Sequence, residues 1–187
     1  MVGINTVTLY AVEIIQEVIP SLRTAIPSLL NIEQIIATVL SSYFLLRFGR
    51  KSIMQLGTLI GAISVALIGF GFILQGRGVI QFGNALIIIG LVVFMGNFGF
   101  SLGPIVWLYI ADILEPELIP FSTLSNWAAA SLIIITFPIL KEALGSVVPL
   151  FFFYAIWTGV SLVVNQKYVL ETKGKTEKEI YDSYKRL

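Results

Sequence analysis

Long apolar runs separated by short polar breaks dominate the chain. Six can be read, over residues 2–19, 26–46, 53–74, 80–110, 121–140 and 146–164. A helix that crosses a bilayer needs about 20 mostly apolar residues, so each run is read as one crossing. Pro20 and Pro27 bracket the first break. The second, RFGRKS (47–52), packs three cations and a glycine into one turn, and QGRG (75–78) forms the third. ADILEPELIP (111–120) carries three acids and two prolines, and KEALGS (141–146) ends the fifth run. The fourth run is longer than a straight crossing requires and contains SLGP (101–104). Pro104 removes a backbone donor there and is expected to break or kink the helix. The pattern predicts an all-α polytopic membrane protein: a six-transmembrane-helix bundle over 1–168, with a short charged tail over 169–187. That tail alternates acids and bases from Glu171 and is read as a solvated helix at the membrane surface, with Glu177 and Lys178 exposed.

Composition narrows the class further. Of 187 residues, 57% are hydrophobic and only 12% charged, and mean hydropathy is +0.91. A soluble domain carries about twice that charge. Disorder and nucleic-acid binding are excluded on the same grounds, and a net charge of +1 implies no polyanionic partner. The absence of Cys and His removes disulfides, thiol chemistry, most metal sites and histidine proton relays. The opening MVGIN lacks a cationic segment followed by a small-residue cleavage site, so no cleaved signal peptide is expected. With six crossings, nine of the 12 Lys and Arg fall on the side of the RFGRKS loop and the tail. The positive-inside bias then places both on the cytoplasmic or topologically equivalent side.

Polar residues at membrane depth are costly and face a cavity or another helix. Asn31, Gln34 and Thr38 share one helical face, continued by Ser41 and Ser42. Two readings stand for this stripe: a wall lining a solute path, or interhelical hydrogen bonding. Glu33 lies beside it. A charge at the bilayer centre costs about 2.5–3.5 kcal/mol, so this carboxyl is expected to be protonated, paired or near the surface. Glu13 and Glu17, towards the end of the first run, are read as wet. Gly57/Gly61 and Gly99/Gly103 form GxxxG pairs, read as close helix packing. Amides and aromatics recur in three runs: Asn5 with Tyr10, the aromatic pair Phe98 and Trp107, and Asn126 with Trp127. Amide hydrogen bonds and aromatic faces suit a neutral hydroxylated solute. No nucleotide motif, metal cluster or nucleophile–base pair is visible, so no enzyme, metal or cofactor is expected.

These residues resemble the C-terminal half of the sugar porters of the major facilitator superfamily. Gly3-Ile4-Asn5 with Tyr10 is similar to the start of that family's seventh helix, and Arg47-Phe48-Gly49-Arg50-Lys51 to its RxGR[RK] loop. Gly103-Pro104-Ile105-Val106-Trp107, followed by Asp112, resembles the GPIPW…E signature of the tenth helix. Ser125-Asn126-Trp127 and Glu171-Thr172-Lys173-Gly174 are similar to tripeptide and ETKG motifs of the eleventh helix and of the segment after the twelfth. The resemblance covers essentially the whole chain. It implies half of an alternating-access transporter, built from inverted three-helix repeats with the solute near the midplane. Carried over by position, Asn5, Gln34, Phe98, Trp107 and Asn126 would contact the sugar, and Tyr10 would belong to the outer gate. Arg47, Arg50 and Asp112 would belong to a cytoplasmic charge network holding the outward-open state.

The departures from the pattern also carry expectations. Leu46 and Gly99 stand where acids are usual, Val106 replaces a proline, Ala130 an amide and Leu170 a proline. No arginine follows Asp112 in the next loop, so its usual partner is expected to be missing. The paired glutamines before GIN, and the six preceding helices of the family, are absent from this chain. A half-bundle cannot enclose a solute, so two roles are expected. One is the C-terminal half of a hexose transport pathway, completed by a second six-helix half. The other is a degenerate half-transporter retained as a structural subunit among other membrane subunits and lipid.

Overall fold

The computed structural model describes Val7 and residues 25–185, and these form α-helices and no strand. The helices are α1 (Ala25–Arg47), α2 (Arg50–Gly76), α3 (Ile80–Phe100), α4 (Leu102–Ile113), α5 (Ile119–Leu144), α6 (Val148–Tyr168) and α7 (Glu177–Lys185). The first apolar run, with Asn5, Tyr10, Glu13 and Glu17, lies outside the described residues except for Val7. Five described segments are long and apolar enough to cross a membrane: Ser28–Arg47, Arg50–Gly76, Ile80–Ile113, Ile119–Leu144 and Val148–Tyr168. Helices are the only open segments that satisfy every backbone polar group inside hydrocarbon, which is why an apolar chain of this length folds this way.

Local chemistry sets the ends. Gly78 (φ +87°) and Gly145 (φ +63°) adopt left-handed conformations after α2 and α5, where a Cβ would be strained. Prolines sit in the first turns of α5 and α6, where a missing N–H costs nothing. The third described crossing is 34 residues long and breaks at Ser101, between α3 and α4. The break lies three residues before Pro104, because the proline ring collides with the carbonyl four residues back, that of Phe100.

Two buried clusters hold the bundle. The larger joins Val7, Leu30, Val65, Ile68, Ile87, Leu91, Phe94, Met95 and Phe151, and so links α1, α2, α3 and α6. The smaller sets Ile53 and Met54 of α2 against Leu102, Ile105 and Tyr109 of α4. The outer surface is apolar, with Leu46, Phe121, Val39 and Ile156 all more than half exposed. Such a surface would aggregate in water but costs nothing against lipid tails.

Helix α7 is short and amphipathic. Ile180 is its buried anchor, and Tyr184 pairs hydroxyl to hydroxyl with Tyr109. Its N-terminus is a capping box. The Thr176 N–H and Oγ1–H both donate to Glu179 Oε2, at 2.8 and 2.9 Å, and the Glu179 N–H points back to Thr176 Oγ1 at 3.4 Å. The Thr176 backbone and hydroxyl donors, with Lys175 adding attraction, hold the Glu179 carboxyl below its ordinary 4.5. A depressed folded value means the contribution is present above the unfolded value and is lost as pH falls through the folded one. Amide exchange of α7, corrected for intrinsic rate, should therefore accelerate in that acid range. Glu179→Gln should abolish this acid step, and an identical step in the variant would refute the assignment.

Candidate functional site

Asn31, Gln34 and Thr38 line an open groove of about 450 Å³ with Ile35 and Val39. Thr38 has a second role: its hydroxyl donates to Gln34 O at 2.8 Å and to Gly99 O of α3 at 3.1 Å. Both readings of the stripe thus occur on one helix, with amides facing the groove and a hydroxyl tied across to α3. Glu33 faces a separate groove of about 420 Å³, with Leu29, Ile32, Ile36, Ala37, Leu40, Gly96 and Phe100. A Cβ on Gly96 would collide with the Glu33 carboxylate, and one on Gly99 would stand 3.0 Å from Gln34 O. α1 and α3 therefore meet on these two glycines, and Gly99 occupies a place an acidic side chain could not.

The amides at membrane depth fall into two chemical groups. Asn97 Nδ2 donates to Gly57 O at 2.8 Å, Asn165 Nδ2 to Thr58 Oγ1 at 3.1 Å and Gln75 Nε2 to Asn84 Oδ1 at 3.1 Å. These join α2 to α3 and α6. The side chains of Asn31, Gln34 and Asn126 make no hydrogen bond within the described residues, and none of the three is buried. An amide in a membrane protein that lacks an internal partner needs water or a ligand, since the bilayer core supplies neither donor nor acceptor.

The remaining aromatic candidates come from neighbouring helices. Phe98 is half-buried against the smaller core cluster, while Trp107 on α4 is 40% exposed. Gln34, Phe98, Trp107 and Asn126 thus lie on α1, α3, α4 and α5. No hydrogen bond among the described residues joins them to one another. Asn5 lies outside those residues.

A second polar assembly stands where the α1–α2 turn meets the segment after α6. Arg50 Nε and Asp112 Oδ2 form an ion pair at 3.2 Å, and the buried Thr172 donates Oγ1–H to the same oxygen at 2.7 Å. Asp112, without an arginine in the loop that follows it, is thus paired from α2. Arg47 does not join this pair; its guanidinium lies 5.4 Å from the Tyr43 ring centre. Tyr10 is outside the described residues.

Glu171 accepts the backbone N–H groups of Arg50 and Lys51, at 2.8 and 3.2 Å, and that of Lys173 at 3.0 Å. It therefore caps the N-terminus of α2, where the helix dipole favours an anion. Lys173 Nζ donates to Leu46 O at 2.7 Å, capping the C-terminus of α1. Residues 171–173 are thus tied into the bundle instead of forming a solvated helix, which begins at Glu177. Sequence reasoning had the ETKG run but not these roles, since its partners lie 120 residues away.

Five described crossings, bundled through glycine contacts and carrying amides without a partner among the described residues, make an integral multi-pass membrane protein, whose fold matches half of the major facilitator fold. The chain belongs to the family described as "Sugar (and other) transporter", whose sequence model matches residues 1–184. It is 32% identical over 188 residues to Sugar transporter ERD6-like 8 of Arabidopsis thaliana, covering 96% of this chain and 39% of that protein. It is 27% identical over 193 residues to the D-xylose-proton symporter of Escherichia coli K12, covering 96% and 38%. Among solved structures, the proton:xylose symporter XylE bound to 6-bromo-6-deoxy-D-glucose superposes with a TM-score of 0.83 at 23% identity, over 98% of this chain and 40% of that one. XylE in its inward-open conformation gives 0.69 at 22% identity, over 98% and 42%. The chain spans about two fifths of the length of these relatives.

Proposed function

We propose that this chain forms the C-terminal half of a hexose transport pathway that works by alternating access with a partner half. The observation that carries the reading is the set of accessible amides, Asn31, Gln34 and Asn126, that have no hydrogen-bond partner among the described residues, in a sugar-transporter family member. A sugar hydroxyl is both donor and acceptor, as is a carboxamide, and its apolar ring face suits Trp107 and Phe98. Asn5 completes the set by position. A second six-helix half, on a separate chain or in a longer polypeptide, closes the path from the other side. The cation bias supports a cytoplasmic position for the Arg50–Asp112 pair, where it holds the inner end shut, while Tyr10 gates the outer end.

Proteoliposomes containing this chain with a complementary six-helix half should take up labelled hexose saturably. Trp107→Ala and Asn126→Ala should each raise the half-saturation concentration about tenfold, the effect of about 1.4 kcal/mol of lost contact. Unchanged uptake in both variants sinks the reading. So does recovery of the chain only within a stable assembly of other membrane subunits that shows no uptake.

A further inference from the structure

The break between α3 and α4 is held from two sides. From α1, the Thr38 hydroxyl shares its one proton between Gln34 O of its own helix, at 2.8 Å, and Gly99 O, in the last turn of α3, at 3.1 Å. From α2, Gly57 O receives Asn97 Nδ2 at 2.8 Å. Ser101 itself lies so close to Gly57 that a Cβ there would collide with its side chain. Ser101, 1% exposed, donates Oγ–H to Asn97 O at 2.7 Å, with Asn97 Oδ1 at 3.3 Å. The Asn97 carboxamide therefore spans the joint, its nitrogen fixed to α2 and its oxygen beside the residue where the helix breaks.

The joint is not fully satisfied. Pro104 supplies no N–H to the carbonyl four residues back. Ser41, one turn beyond Thr38 on the same stripe, keeps a buried hydroxyl without a partner among the described residues. Phe44, the next turn along, packs edge-on against Phe100 with ring centres 5.4 Å apart. Ser41 thus sits between two contacts with the end of α3.

Beyond the joint, α4 is a 12-residue arm carrying Trp107 and Asp112. At 1.5 Å per residue, a 10° change at Ser101 moves Asp112 by roughly 3 Å. We propose that Thr38 and Asn97 are positioning residues that set the angle of α4, and so fix where Trp107 and Asp112 stand. The consequence for uptake rests on the transport reading above; the angle itself does not.

The chain has no cysteine, so introduced pairs can be spin-labelled without background. Labels at Glu115 and Gln166, both exposed, report α4 against α6 in lipid nanodiscs by pulsed dipolar spectroscopy. The parent should give one narrow distance distribution. Thr38→Val and Asn97→Ala should each raise a displaced population about threefold, the shift expected from one interhelical hydrogen bond in a membrane. Thr38→Ser, which keeps the hydroxyl, should restore the parent distribution. A control pair at Gln81 and Gln166, which does not report α4, should not change. The proposal is overturned if both Thr38→Val and Asn97→Ala leave the Glu115–Gln166 distribution unaltered, if Thr38→Ser shifts it as far as Thr38→Val, or if the control pair broadens equally. No sugar enters the measurement, so its failure is separate from failure of the transport reading.

Discussion

Gly83→Ala should destabilise the bundle by about 3 kcal/mol, the upper part of the range for overpacking a well-filled interior. A Cβ at Gly83 would stand 2.7 Å from Gly71 O and 2.9 Å from Gln75 N, both backbone atoms of α2. Neither can rotate away, so the helices must separate. The contact is reciprocal: a Cβ at Gly71 would meet Gly83 O at 2.8 Å. One helical heptad along α3, Gly90 repeats the arrangement against Ser64 O at 2.9 Å. Around these points Ile68, Ile87 and Leu91 are fully buried, so separation opens the centre of the larger core cluster. Gly159 on α6 is the control. Nothing lies within 4 Å of a Cβ there, and alanine should be neutral or stabilise by about 0.5–1 kcal/mol through helix propensity. Denaturation in mixed micelles measures both. Equal stability of the Gly83→Ala and Gly159→Ala proteins would rule out close backbone packing of α2 on α3. The Gly71→Ala/Gly83→Ala double variant should fall short of additivity, because helices already parted for one methyl have room for the other.

The class of fold was legible because hydrocarbon leaves the backbone few choices: an apolar run of about 20 residues must bond within itself. What was less legible depends on partners remote in sequence. Pro104 announced a distortion in the fourth run, but its position at Ser101 reflects the reach of the ring to the carbonyl of Phe100. Spacing singled out Gly57/Gly61 and Gly99/Gly103. It missed Gly71, Gly83 and Gly90, where the α2 and α3 backbones come within a side chain's reach of each other. These three show no four-residue spacing, because Gly71 on α2 faces Gly83 on α3 and the next close approach on α3, at Gly90, comes seven residues later.

The candidate site shows the same limit. Asn97 and Asn126 are indistinguishable as letters in an apolar run. Only the fold shows that Asn97 is bonded to Gly57 O while Asn126 has no partner in the described chain. Gln34 and Thr38 share a face, as their spacing requires, yet the Thr38 hydroxyl is shared between Gln34 O and Gly99 O while Gln34 leaves its amide to the groove. Helical periodicity places residues on a face. It does not say what the face meets.

Removing the Glu171 carboxylate should cost about 2–3 kcal/mol, the scale of a charged acceptor serving several donors at a helix N-terminus. The backbone N–H groups of Arg50, Lys51 and Lys173 would lose their acceptor together. The half-buried Arg50–Asp112 pair beside it, with side chains 21% and 23% exposed, cannot make up the loss, since a partly exposed ion pair contributes about 0.2–1 kcal/mol. Gly49 supplies the decisive comparison. Its backbone is ordinary, with φ −74° and ψ 161°, so alanine brings no torsional strain. The added methyl would instead collide with the Glu171 carboxylate and push that flexible group off the helix end. Gly49→Ala should therefore imitate Glu171→Ala, and the double variant should be no less stable than Glu171→Ala alone. Additive losses would mean that Gly49 acts through some other contact, and that the collision is relieved without uncapping α2. Near-complete non-additivity would identify a glycine held open so that an anion 122 residues further along the chain can reach the first turn of α2.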